Sequence, residues 1–212
     1  MRKMLLAATA ATLVFAGATQ AGSEGFYVGL SAGHEFATVD GVGSNAAGLF
    51  PIAYDYDAQG GTIGVLAGFN FVADNMVFGV EGDINWSDLD EVAPLGAARY
   101  HGVDVNYEAA ARARFGIIHG NNVVYVAGGY AVADMDVDIG FNGSAPFHSY
   151  SITKSGWTLG AGLDHAFDES VSGRIEYRYT DYGADTTIGG VNSRDDNNMT
   201  SNSIRVALLM KL

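Results

Sequence analysis

The sequence has 212 residues, with 11 Lys and Arg against 24 Asp and Glu, which gives a formal net charge of −13. Such an acidic chain is a poor partner for nucleic acid, whose phosphates require basic side chains. It contains no Cys, so disulfides do not stabilise the fold. Its 29 Gly are spread through apolar segments, as in strands whose inward positions must be small.

The first 21 residues have the pattern of a bacterial secretory signal peptide. Arg2 and Lys3 form a positive start, residues 4–18 are apolar, and small residues precede a cleavage site after Ala21. No later apolar run reaches the roughly 18–20 residues that a membrane-spanning helix needs. We therefore expect an exported chain with one mature domain, residues 22–212, that enters a membrane only as strands.

Eight segments with a period of two predict eight strands. In chain order they are residues 25–33, 62–71, 76–87, 105–117, 123–132, 156–167, 171–182 and 203–212. Segments rich in Gly, Asn, Asp and Ser, about 34–61, 88–102 and 183–200, predict long loops, and a further polar loop is predicted to run to about residue 153. Before that loop, the alternation of Asp134, Asp136 and Asp138 with apolar residues allows the strand of 123–132 to continue above the membrane. Long and short connections alternate, and an even strand number returns both ends to one side. This is typical of an eight-stranded antiparallel up-and-down transmembrane β-barrel, with short periplasmic turns and long external loops.

Two of these segments show which side chains share a face. In residues 76–87, Val80 and Trp86 alternate with Glu81 and Asp83. In residues 171–182, Gly173, Ile175, Tyr177 and Tyr179 share one face, whereas Arg174, Glu176 and Arg178 alternate with them. A barrel in a membrane would turn the apolar face to lipid and the charged face to the lumen. The facing of segment 123–132 stays ambiguous, because Tyr125 and Tyr130 fall on opposite sides.

The inward faces carry nearly balanced charge. Glu81, Asp83, Glu108, Asp164 and Glu176 give −5, and Arg112, Arg114, Arg174, Arg178, Arg205 and Lys211 give +6. An unpaired charge away from water is costly, so a filled lumen needs such balance. We predict an ion-pair network that closes the lumen, and we favour this over a role for Glu81 or Glu176 as a general acid.

Aromatic residues near the predicted strand ends are typical of a membrane-interface belt. The predicted lipid-interface aromatics are Phe69, Phe71, Trp86, Trp157, Tyr177, Tyr179 and Tyr182.

Neither a metal site nor a cofactor is predicted. The five His are scattered without ligand spacing. Asp134, Asp136 and Asp138 alternate like the start of a calcium-binding loop, but Ile139 and Ala145 stand where that loop needs Gly and Glu. Loose external binding of divalent cations, which bridge lipopolysaccharide, stays open as a hypothesis.

Catalytic residues are not predicted either. The sequence has no nucleophile-elbow motif and no phosphate-binding loop. His148 and Ser149 are adjacent in a predicted external loop, and a lipid-modifying barrel enzyme would use such residues at its outer rim. Chance adjacency in a Ser-rich stretch explains them better.

Four segments carry a family resemblance: Gly-Phe-Tyr-Val-Gly from Gly25, Gly-Val-Glu-Gly-Asp from Gly79, Arg-Ala-Arg-Phe-Gly from Arg112, and Arg-Ile-Glu-Tyr-Arg-Tyr-Thr-Asp-Tyr-Gly from Arg174. They resemble the small outer-membrane β-barrel family, which is OmpA-like in the barrel and often labelled porin family or outer-membrane immunogenic protein. It implies an outer-membrane location, envelope integrity and surface antigenicity. The family usually ends in an aromatic residue that the barrel-assembly machinery reads, whereas this chain ends in Leu212.

The sequence therefore predicts a monomeric structural and surface protein of the bacterial outer membrane. We expect it to contact membrane lipids and lipopolysaccharide, and to reach the barrel-assembly machinery through its C-terminal strand. A small-solute porin is the first alternative and needs an open lumen. The others are a lipid-modifying enzyme and a soluble calyx, which would place its aromatic residues inside.

Overall fold

A computed structural model describes residues 24–45, 52–95, 99–141, 146–189 and 193–212, and the predicted signal peptide lies outside them. The strands are β1 (Gly25–Asn45), β2 (Ile52–Ala73), β3 (Met76–Ser87), β4 (Asp90–Leu95), β5 (Arg99–His119), β6 (Asn122–Phe141), β7 (Pro146–Ala166), β8 (Val171–Gly189) and β9 (Ser193–Lys211). Over these ranges, the chain forms no helix long and apolar enough to cross a lipid bilayer.

The strands close into an antiparallel barrel. Apart from β3 and β4, each strand pairs with its neighbour along the chain, β1 pairs with β9, and β3 pairs with β5 past the short strand β4. Strands β3 and β4 together fill one of eight positions, because β3 pairs with the second half of β5 and β4 with the first half. The predicted fold class, an eight-stranded antiparallel barrel, is confirmed.

Leu89 interrupts the strand between β3 and β4 by turning into the interior, where it is 1% exposed. Its carbonyl oxygen accepts a hydrogen bond of 3.0 Å from the Val105 amide. Gly60 on β2 makes room for it, since a Cβ at that position would lie 2.6 Å from the Leu89 Cα. The interruption is therefore a packed feature of the fold.

The long loops predicted at about 34–61, 88–102 and 183–200, and the polar loop predicted up to about 153, are wrong over much of their length, whereas β6 continues through Asp134, Asp136 and Asp138 as their alternation allows. Strand β1 continues to Asn45 and β2 starts at Ile52, and β5 to β9 extend in the same way. Gly, Asn and Asp favour turns locally, but each extension has a neighbouring strand that pairs with its backbone amides and carbonyls. We call the end of the barrel that carries these extensions the extended end, and the opposite end the short-turn end.

At the extended end the barrel divides into two four-stranded sheets. Strand β7 pairs with β8 only between Trp157 and Ala166, although β7 begins at Pro146. Beyond Asp181, β8 pairs with β9 alone. On the other side, β2 pairs with β3 only from Thr62 onward, and β4 pairs with β5 alone. The sheets are thus β2-β1-β9-β8 and β4-β5-β6-β7.

These two sheets enclose an apolar cluster. Its buried members are Ala37, Val39, Ala58, Leu89, Val105, Ala131, Ala133, Met135, Tyr182 and Met199. The barrel interior therefore has an apolar part at the extended end and a charged part below it, and a second buried apolar cluster that includes Val77 and Val123 lies near the short-turn end.

The outer surface of the barrel is apolar and its interior is polar. Val80 and Ile175 are 59% and 52% exposed, whereas Glu81 and Arg178 are 5% and 6% exposed. Along β3 the alternation is unbroken, as the sequence predicts. Strand β6 follows the same rule, because Tyr125 is buried in the lumen and Tyr130 faces outward, which settles the facing of segment 123–132.

Candidate functional site

The candidate site is the charged part of the lumen. The structure places all ten of the predicted network residues inside the barrel, each less than a tenth exposed: Glu81, Asp83, Glu108, Arg112, Arg114, Asp164, Arg174, Glu176, Arg178 and Arg205. They come from β3, β5, β7, β8 and β9, so the contacts between strands that are not neighbours, such as those of β3 with β8, exist only because the sheet closes.

Glu81 is the centre of the network. One of its carboxylate oxygens lies 2.5 Å from Nη2 of Arg112, and the other lies 2.5 Å from Nη1 of Arg174. The Tyr27 hydroxyl donates a further hydrogen bond of 2.8 Å to the same carboxylate. Charge-assisted hydrogen bonds of this kind are the strong ones in a protein interior. Glu81 thereby ties β1, β5 and β8 to β3.

Towards the short-turn end, Asp164 holds two guanidinium groups. Its Oδ1 lies 2.7 Å from Nε of Arg174, and its Oδ2 lies 2.7 Å from Nη2 of Arg114. The Tyr125 ring supports both groups, because its centroid lies 4.1 Å from Cζ of Arg114 and 4.9 Å from Cζ of Arg174. A cation over an aromatic face is attracted by the quadrupole of the ring.

Towards the extended end, the network continues through Arg178 and Arg205. Arg178 lies 2.9 Å from Asp83 and 3.0 Å from Glu176. Arg205 lies 3.0 Å from Glu108 and 3.7 Å from Asp83. Arg112, which is 2.9 Å from Glu176, connects this half to Glu81. The ion pairs are therefore continuous along the lumen.

One predicted placement is wrong. Tyr182 is not a lipid-interface residue, because it is 4% exposed inside the barrel and its hydroxyl donates a hydrogen bond of 2.5 Å to Glu108. Unbroken alternation from Arg174 already assigns it to the inward face. Lys211 shares the inward face of β9 with Leu209, but it lies at the mouth of the barrel and is exposed there.

Sequence reasoning missed two buried charges, Glu35 and Lys154, which are 1% and 3% exposed. Both lie in or beside segments predicted to be loops, where the alternation of inward and outward side chains along a strand does not predict which residues are buried. With them, the described part of the barrel buries six carboxylates and six cationic groups: the five predicted acids plus Glu35, and the five arginines plus Lys154. The buried charges therefore sum to zero when all are ionised.

Two glycines make room for the lumen tyrosines. Tyr27 pairs across the strands with Gly68, and Tyr125 pairs with Gly162. A Cβ on Gly68 would collide with Cζ and the hydroxyl oxygen of Tyr27, and one on Gly162 would lie 2.6 Å from the Tyr125 hydroxyl oxygen. The tyrosines thus lie flat over glycine backbone, which brings their hydroxyl groups to the carboxylates.

The charged side chains leave little free space. A small cavity lies among Asp83, Arg112, Glu176, Arg178 and Arg205. The part of it that the centre of a water molecule can occupy has a volume of about 10 Å³. A single water needs roughly 10–15 Å³ by this measure. The middle of the lumen has room for about one water molecule.

We expect the Tyr125→Phe variant to lose about 2 kcal/mol of unfolding free energy, because it removes the 2.6 Å hydrogen bond that the hydroxyl donates to Glu176. Urea unfolding in detergent micelles would measure the loss. Tyr130→Phe is the matched control, since Tyr130 faces outward, and it should change the value by less than about 0.5 kcal/mol. Equal losses in both variants would contradict the role given to the buried hydroxyl.

The remaining predicted interface aromatics lie on the outer surface. Phe71, Trp86, Trp157 and Tyr177 are at least half exposed, and Phe69 and Tyr179 are half-buried against neighbouring rings. Phe69 packs against Phe71 at 4.7 Å between ring centroids, and Trp157 packs against Tyr179 at 5.4 Å. These positions fit a membrane-interface belt.

The acidic stripe of β6 lies on the outer surface of the extended end. Asp136 accepts hydrogen bonds from Ser151 (2.5 Å) and from Asn106 (3.1 Å), and these donors lower the pKa of its carboxyl. Asp138 accepts one from Ser149 (2.5 Å), and the His148 side chain lies outside the described residues. Within the described part of the chain, no three His, Asp or Glu side chains are arranged to hold a metal ion.

Fold and surface together define a class of protein. A closed barrel with an apolar outer band, aromatic rings on that band and a charged interior is a transmembrane β-barrel. The soluble calyx would need the aromatic residues inside, and the structure places the predicted interface rings outside.

Comparison with known proteins gives the family. Residues 6–210 match the family described as the outer membrane protein beta-barrel domain, and the chain belongs to it. Over 202 residues it is 31% identical to the 31 kDa outer-membrane immunogenic protein of Brucella melitensis biotype 1, covering 88% of this chain and 82% of the relative. The predicted family resemblance is thus confirmed.

Two further comparisons are more limited. The chain is 32% identical over 148 residues to the 25 kDa outer-membrane immunogenic protein of Brucella abortus biovar 1, covering 68% of this chain and 62% of the relative. It spans between 51% and 62% of the length of these 25 kDa relatives. The crystal structure of Neisserial surface protein A shares the fold, with a TM-score of 0.51, 18% identity, and coverage of 88% of this chain and 97% of that one.

Proposed function

We propose that this chain is a structural and surface protein of the bacterial outer membrane whose lumen is closed. The observation that carries the proposal is the continuous set of ion pairs from Asp164 to Glu108, which spans the charged interior. A pore for solutes needs an open path, and about 10 Å³ of free volume at this level does not provide one. The small-solute porin is therefore the weaker alternative.

Several features support a role in the envelope and at the surface. The apolar outer band would contact outer-membrane lipids, and the extended end would stand outside the membrane beside lipopolysaccharide. The two Brucella relatives are named as immunogenic outer-membrane proteins, which fits a protein whose extended end is accessible from outside. We propose no enzymatic role, because the Ser149 hydroxyl donates to Asp138 on the outer face.

An outer-membrane barrel must also be exported, assembled and closed. We propose export with cleavage of the signal peptide after Ala21, and recognition of the C-terminal strand β9 by the barrel-assembly machinery. Because β9 pairs with both β1 and β8, each barrel closes on itself and the protein would act as a monomer.

Single-channel recording in planar lipid bilayers tests the closed lumen. We expect the folded wild-type protein to give no discrete conductance steps. The double variant Asp83→Ala/Arg178→Ala removes a pair that crosses the lumen at 2.9 Å, and we expect it to give small steps. Discrete steps from the wild-type protein would support the porin alternative instead.

A further inference from the structure

Glu35 on β1 is a buried carboxyl group without the kind of partner that the other buried acids have. It is 1% exposed and lies where the charged lumen meets the apolar cluster of the extended end. Ala37, the next inward residue of β1, already belongs to that cluster. Among the described residues, neither carboxylate oxygen of Glu35 has a hydrogen-bond partner, whereas each of the five predicted lumen acids contacts an arginine.

The groups around Glu35 come from three strands. Glu108 of β5 and Arg205 of β9 act on it electrostatically, and Tyr182 of β8 interacts with both Glu35 and Glu108. The Ser201 hydroxyl of β9 also lies beside it. Strand β2 presents only uncharged inward positions next to it, Ala58, Gly60 and Thr62. Strand β7 carries the buried Lys154, which has an interaction of its own.

Arg205 cannot neutralise both carboxyl groups. Its Nη2 binds Glu108 at 3.0 Å, its Nε donates to Ser203 at 3.0 Å, and its Nη1 lies 3.7 Å from Asp83. Glu108 also accepts the Tyr182 hydroxyl at 2.5 Å. Glu108 therefore has two close partners of its own, while an ionised Glu35 would be an unpaired negative charge in the same buried place. Two adjacent buried carboxyl groups with too little positive charge do not both ionise.

We propose that Glu35 and Glu108 form a proton-binding site, in which one proton is held on Glu35 and its hydroxyl donates to the Glu108 carboxylate. The proton comes from solvent, and the pair then carries a single negative charge opposite Arg205. This proposal goes beyond the closed lumen and does not depend on whether the barrel conducts. It assigns a role to Glu35, a buried carboxyl group that is not paired within the ion-pair network.

The site links proton binding to the stability of the barrel. The unfolded chain releases the Glu35 proton above the ordinary glutamate pKa of about 4.3, whereas the folded barrel retains it to higher pH. In that interval the folded state binds more protons, so the free energy of unfolding falls as pH rises. Deprotonation places two like charges at the base of the extended end, where β1, β5, β8 and β9 meet.

Carboxyl ¹³C NMR of the glutamate-labelled wild-type protein in detergent micelles tests the proton directly. The Glu35 resonance is assigned by its absence from the Glu35→Gln spectrum. We expect it at the protonated position at about pH 7. Glu169, exposed in the β7–β8 turn and assigned in the same way from Glu169→Gln, supplies the reference signal of a carboxyl group in contact with water. A Glu35 resonance at the ionised position would overturn the proposal.

The pH dependence of unfolding provides a second test. We expect the unfolding midpoint of the wild type and of Glu169→Gln to fall by several degrees between about pH 5.5 and about pH 9. Glu35→Gln cannot release a proton, and its midpoint should lose this dependence. The same fall in Glu35→Gln would overturn the proposal. A second result would also overturn it. If sodium or magnesium chloride, but not choline chloride, raised the wild-type midpoint at about pH 9 back to its value at about pH 5.5, the site would bind a metal cation in place of the proton.

Discussion

Replacing Glu81 by alanine is expected to lower the free energy of unfolding by about 3–5 kcal/mol, the largest loss among the lumen variants. The carboxylate holds Arg112 and Arg174 at 2.5 Å each and accepts the Tyr27 hydroxyl at 2.8 Å. Its removal leaves two buried guanidinium groups with one partner fewer. The cost comes from those unpaired charges, more than from the attraction that is lost.

Urea unfolding in detergent micelles, followed by the fluorescence of the outward Trp86 and Trp157, would measure this loss. Glu169→Ala is the control for removing a carboxylate, because Glu169 is exposed in a turn. Glu81→Gln keeps the shape and one acceptor oxygen, so it should fall between the wild type and Glu81→Ala. A loss below about 1 kcal/mol in Glu81→Ala would show that water enters the lumen and solvates the arginines.

The second large effect is expected from Gly156→Ala on β7. Gly156 lies beside the last residue pair that joins β7 to β8, Trp157 with Asp181. A Cβ there would collide with the Asp181 carbonyl oxygen and would lie 2.6 Å from the Tyr182 Cα. Backbone atoms cannot rotate away as a flexible side chain can. We therefore expect β7 and β8 to separate locally, at a cost of about 1–3 kcal/mol.

Gly82→Ala is the matched control for this variant. Gly82 faces outward from β3, and the nearest atom to its added Cβ would be the Ala110 carbonyl oxygen at 3.8 Å. Both substitutions reduce the freedom of the unfolded chain equally, so their difference isolates the collision. The measurement is the unfolding midpoint in urea, together with the fraction of unheated protein that migrates as the compact form on a gel. Equal behaviour of the two variants would contradict the close approach of β7 and β8.

Much of the fold was predictable because the period of two is a local property. Once Val80 and Glu81 are assigned to opposite faces, the whole strand follows, and the structure keeps that alternation. The same rule places Tyr182 inward with Arg178. Grouping Tyr182 with the outer aromatics by residue type gave the wrong placement.

The strand extensions were not predictable from local composition. Gly, Asn and Asp between residues 34 and 61 favour turns, yet Ala37, Val39 and Ala58 are inward residues of paired strands. The available signal was weak, a short alternation of small apolar residues with polar ones from Glu35 to Asp40. For this reason the buried Glu35 and the two-sheet arrangement of the extended end were missed.

By itself, the sequence determined the class of fold, the number of barrel strands and which side chains face inward, since each follows from alternation along one strand. Only the tertiary structure decided which charges meet. Arg178 reaches Asp83 across 95 positions of sequence, and Arg174 reaches Glu81 across 93. Partners of this kind are set by the register of every strand pair and by the closure of the sheet, which no single segment encodes.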